Sequence, residues 1–121
     1  GFLIPIYVEG LAGISDDEKT LLDRIILKHR IRFQKLLEGI EFLKIRVRLP
    51  KEDQPGRYHF QVTAQLSMPG RSFETSSLGW RLSEVIEHVL CKLETQIKRF
   101  KSRRKDISKK EREFMYGLGQ A

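Results

Sequence analysis

The sequence predicts an α+β domain of order β-α-β-β-β-α, a four-stranded sheet with two helices packed on one face. Three observations lead there. Two stretches carry apolar residues at steps of three and four, others alternate apolar with polar residues, and glycine or proline stands at the boundaries between them. The chain has 121 residues, about one domain's worth, and its 40% apolar content is enough for a single core.

The first strand is read over Phe2–Glu9, with Ile4, Ile6 and Val8 on one face and Pro5 suited to an edge; Gly10 and Gly13 close it. Ser15 with Glu18 three residues on forms a capping box, and Asp16 and Asp17 suit the electropositive first turn. A helix is therefore expected from about residue 16 to Leu37, stopped at Gly39. From Ile40 the period changes to two. Leu43, Ile45, Val47 and Leu49 share one face, and Phe42, Lys44, Arg46 and Arg48 the other.

Pro50 to Gly56 breaks that strand. Tyr58, Phe60, Val62, Ala64 and Leu66 then alternate with His59, Gln61, Thr63 and Gln65, and Met68-Pro69-Gly70 turns the chain into a shorter strand over Arg71–Ser77. Beyond Gly79, a long helix carries Leu82, Val85, Ile86, Val89, Leu90, Leu93, Ile97 and Phe100 at helical spacing and extends past Arg103. Ser108 with Glu111 is expected to cap a further short helix. Residues 1–105 thus form the domain, and 106–121 a basic tail, a short helix or a mobile end.

Charge is unevenly placed. The chain holds 23 basic and 16 acidic residues, yet residues 1–91 are nearly balanced while 92–113 hold 10 basic against 4 acidic. Such a field draws polyanions, with RNA, DNA and acidic membrane surfaces as the candidates. At 100° per residue, Arg24, Lys28, Arg32 and Lys35 form one stripe on the first helix, and Arg81, His88, Lys92, Arg99 and Arg103 one on the second; Glu84, Glu87 and Glu94 lie on that helix's other flank. If both helices cover one sheet face, the stripes can border a shared positive groove. A second basic row, Lys44, Arg46 and Arg48, falls on the opposite sheet face and ranks below it.

Signals for chemistry are weak. A single Cys makes no internal disulfide, and no Cys/His cluster has metal-ligand spacing along the chain. Cys91 lies off the apolar stripe with no His one turn away and reads as an incidental thiol, while His29 on an apolar helix face reads as a core residue. Phosphate-cradling glycine loops and nucleophile elbows are missing. With no disulfide framework, the cytosol is the default compartment, and Phe2–Val8 is too short to span a bilayer and has no basic leader. A binding protein is favoured over an enzyme.

Val85-Ile86-Glu87, followed by Cys91-Lys92-Leu93-Glu94-Thr95-Gln96-Ile97, resembles the A-I-D-x-x-x-D-K-L-E-x-Q-L signature of the ribosome hibernation-promoting factors, the family of the ribosome-associated inhibitor and of the sigma-factor modulation proteins. The resemblance spans about residues 4–105, including Ser15 where the family has Thr, and Pro69-Gly70 in the meander turn. It departs at Arg81 and Ser83, at Cys91 where the family has Asp, and at His29 where it has an apolar residue.

The resemblance implies a fold similar in outline to double-stranded-RNA-binding domains, in a short-type factor that binds the small ribosomal subunit and its ribosomal RNA, blocks the RNA channel and stores ribosomes. No cofactor, membrane partner or small-molecule substrate is expected. The resemblance also implies that Lys28, Lys92, Arg99 and Arg103 stand where such factors carry RNA-contacting lysines. Two rivals stay open: a free double-stranded-RNA binder, and a protein-interaction module, for instance one acting on a transcription factor, that uses Leu27, Ile31 and Trp80.

Overall fold

The computed structural model describes residues 3–49 and 60–118, with side chains through residue 102. Phe2, the expected Pro50–Gly56 break, Tyr58 and His59 lie outside the described residues. The elements are β1 (Ile6–Glu9), α1 (Asp16–Leu36), β2 (Phe42–Arg48), β3 (Phe60–Met68), β4 (Arg71–Gly79) and α2 (Leu82–Leu118). They form an α+β fold in the expected order.

The sheet order is β1-β2-β3-β4. β1 runs parallel to β2, with Val8 opposite Ile45, and the remaining pairs are antiparallel. β1 is shorter than expected: the ladder begins where the Pro5 carbonyl accepts from the Leu43 amide at 2.9 Å. β4 is longer, because Phe60 pairs with Gly79 and carries the ladder two residues past Ser77.

Local chemistry sets the boundaries. The Ser15 hydroxyl accepts from the Glu18 amide at 3.3 Å, with Asp16, Asp17 and Glu18 filling the first turn of α1. Gly10, at φ +88°, sits against β2 so closely that a Cβ there would stand 1.9 Å from the Val47 carbonyl oxygen. Only glycine fits that turn.

One sheet face carries Leu43, Ile45, Val47, Val62, Ala64, Leu66 and Phe73, all buried. Both helices cover it: α1 supplies Leu22, Ile26 and Phe33, and α2 supplies Leu82, Val85, Ile86, Val89, Leu90, Leu93 and Ile97. α2 lies against β3 and β4 with α1 beside it, and the Arg30 guanidinium donates to the Ile4 carbonyl just before β1. The two helices run in the same direction. Lys28 meets Glu87, Arg32 meets Glu94, and the Leu36 carbonyl meets Lys101 in that order along the seam.

α2 is continuous to Leu118, so Ser108 lies inside one helix and starts no new one. Between Lys101 and Tyr116 there is neither Pro nor Gly, and Lys, Arg and Glu dominate, all good helix formers. The part beyond Phe100 extends for about 27 Å at the usual helical rise.

Candidate nucleic-acid interface

The structure divides the expected basic residues into three groups. The first lies in the α1–α2 seam. Lys28 Nζ is 2.8 Å from Glu87 Oε1, and Arg32 Nη1 is 3.7 Å from Glu94 Oε2, with Lys98 Nζ 3.4 Å from the same carboxylate's other oxygen. Between these pairs stands His29, fully buried, with Nε2 3.2 Å from Glu87 and Nδ1 3.7 Å from Glu94. Burial pushes the Glu87 carboxyl up, but Lys28 and His29 beside it more than offset this and leave it below the ordinary carboxylate value.

The second group lies on the far flank of α2, along the free edge of β4. His88 Nδ1 is 2.8 Å from the Ser77 hydroxyl, Lys92 Nζ donates to the Ser76 carbonyl at 2.6 Å, and Gln96 donates to the Glu74 carbonyl at 3.3 Å. β4 ends the sheet, so these carbonyls have no neighbouring strand, and the helix side chains occupy them.

The third group points outward. Arg24, Lys35 and Arg99 are exposed and have no ion-pair partner among the described residues. Arg81 pairs loosely with Glu84 at 3.6 Å where both are largely exposed, which contributes little to stability. Arg103 is on α2, with its side chain outside the described residues.

The stripes therefore do not border one continuous positive groove. Lys28 and Arg32 turn toward α2 and meet its acidic flank, whereas His88 and Lys92 turn away from α1 toward β4. A helical projection fixes which residues share a stripe. It carries no information on how two helices are rotated about each other.

The open sheet face forms a second cationic surface. Lys44, Arg46, Arg48, Gln61, Thr63, Gln65, Glu74 and Ser76 line a shallow basin of about 640 Å³. Glu9 pairs with Lys44 at 3.4 Å and Arg46 at 3.3 Å, and Lys44 above all holds its carboxyl below the usual range. Leu27, Ile31 and Trp80 are about half exposed, at 52%, 49% and 56%. No described helix is long and apolar enough to cross a membrane.

No protein-family model matches the sequence, and no curated protein matches it. Solved structures do share the fold. A ribosomal subunit interface protein from Coxiella burnetii superposes with a TM-score of 0.56 at 19% identity, over 82% of this chain and 97% of that one. The N-terminal domain of Protein Y from Thermus thermophilus superposes at 0.53, also at 19% identity, over 82% of this chain and 99% of that one. The fold is thus shared with these structures, in keeping with the resemblance read over about residues 4–105.

Proposed function

We propose that this chain binds the small ribosomal subunit in the cytoplasm and inhibits translation, as a hibernation factor does, by occupying its RNA channel. The observation that carries this reading is the fold likeness to a protein named for the ribosomal subunit interface, over nearly all of that protein's length. The outward cations Arg24, Lys35 and Arg99 support it, since with no acidic partner among the described residues they can engage phosphates at little cost. Lys28, Arg32, Arg81, His88, Lys92 and Arg103 belong to the same proposed contact set. Binding of this kind reads RNA backbone and shape, and needs neither catalysis nor base-specific contacts.

Co-sedimentation with ribosomal subunits across a salt series tests the reading. Changing Arg24, Lys35 and Arg99 together to Ala is expected to weaken binding and to flatten its log-log salt dependence by about 0.7–0.9 per lost phosphate contact. Unchanged affinity in that variant would refute the helical contact set. Equal affinity for plain duplex RNA and for ribosomes would favour a free double-stranded-RNA binder.

A further inference from the structure

Two polar side chains are fully or nearly fully buried among the described residues, and only one has a hydrogen bond. Thr75 donates to the Val89 carbonyl at 3.0 Å, whereas neither ring nitrogen of His29 has a hydrogen-bond partner. Nε2 lies 3.2 Å from Glu87 Oε1 but out of line for a hydrogen bond. On α2, Glu87 and Cys91 are one turn apart, with Sγ 3.9 Å from Oε1. One donor atom each from His29, Glu87 and Cys91 lies within 4.8 Å of the other two.

We propose that His29 Nε2, the Glu87 carboxylate and Cys91 Sγ form a binding site for a zinc-class divalent cation, clipping α1 to α2. A tetrahedral zinc ion holds such donors roughly 3.3–3.8 Å apart, given Zn–N near 2.0 Å and Zn–S near 2.3 Å. The seam therefore has to close by about 1 Å. Imidazole, thiolate and carboxylate together suit zinc or cobalt and do not suit the hard, all-oxygen sites of calcium or magnesium. Cys91 is partly exposed and offers an entry path, and a solvent molecule fills the fourth position.

Lys28 is the built-in competitor. Its ammonium sits 2.8 Å from the same Glu87 oxygen and neutralises the carboxylate when no metal is bound. Burial and the two nearby glutamates hold the Cys91 thiol protonated in that state, so ligation releases a proton. The assignment does not rest on the ribosome-binding reading, and its test uses the metal alone.

The reduced, chelator-treated protein is titrated with Co²⁺ and then Zn²⁺. The expected result is one equivalent of Co²⁺ with a thiolate-to-cobalt charge-transfer band, displaced by Zn²⁺, and a rise in Tm with Zn²⁺. Cys91→Ser abolishes the band, and Glu87→Gln weakens binding about tenfold or more. Lys28→Gln tightens it by removing the competing cation. His29→Asn disturbs the core, so Glu87→Gln and Lys28→Gln carry the test if that variant does not fold. A native protein without the band, or a band whose affinity is unchanged in both Glu87→Gln and Lys28→Gln, overturns the assignment.

Discussion

Lys92 Nζ donates to the Ser76 carbonyl at 2.6 Å, so a residue of the proposed RNA contact set also covers the free edge of the sheet. Replacing it with Met keeps the apolar stem and removes the donor. Lys92→Met is expected to cost about 0.5–1.5 kcal/mol in urea denaturation. Ribosome binding, measured where the variant is fully folded, should weaken as well. A loss in one measurement with none in the other would assign Lys92 a single role.

Glu94 restrains two cations at once. Its carboxylate, 12% exposed, lies against Arg32, Lys98 and the His29 ring. Glu94→Gln keeps the shape and frees both cations, so ribosome affinity should rise and its salt dependence steepen. Stability should fall by about 1–2 kcal/mol, since Arg32 and Lys98 lose their carboxylate and the buried His29 ring keeps only Glu87 as a charged neighbour. Affinity and salt dependence unchanged from those of the native protein under folded conditions would show that the seam cations do not contact RNA.

Acid sensitivity should come in part from Glu9. Its carboxyl is held below the ordinary carboxylate range by Lys44 first and Arg46 next. A depressed folded-state pKa contributes stability that is fully present above the unfolded value and is lost as pH falls through the folded one. Denaturation midpoints measured from about pH 5 down to about pH 3 should therefore drop more steeply in the native protein than in Glu9→Gln. Parallel curves would remove Glu9 from the account.

Gly10→Ala tests the close approach of the loop to β2. The added methyl would stand 1.9 Å from the Val47 carbonyl oxygen at a φ of +88°, and both the clash and the backbone geometry oppose it. The expected loss is about 2–4 kcal/mol, seen as a lower Tm. A variant as stable as the native protein would mean that the turn can be rebuilt.

The element order was legible because each element announces itself locally. Period-two alternation in residues 42–48 and 60–68, period-3.6 spacing in 82–100, and the Ser15–Glu18 cap all became the expected structures. The arrangement of the site was not legible. Whether Lys28 faces solvent or Glu87 depends on the rotation of two helices whose contacting residues are 59 positions apart in sequence. Likewise, His29 with Glu87 and Cys91 is a cluster in space and not along the chain, so no spacing rule could find it. Ser108 had the composition of a cap, but the helix formers on both sides of it carry α2 straight through.

The common direction of α1 and α2 has an electrical consequence. Peptide dipoles add along each rod, equivalent to roughly half a positive charge at each N-terminus and half a negative charge at each C-terminus. With both rods aligned, their positive ends face the same way, while α2 carries its negative end about 27 Å past Phe100, well beyond that of α1. Full side-chain charges outweigh these halves: Asp16, Asp17 and Glu18 fill the first turn of α1, whereas residues 92–113 of α2 hold 10 basic against 4 acidic groups. A polyanion is therefore drawn toward the late part of α2 and repelled from the start of α1, which turns the molecule as the two approach.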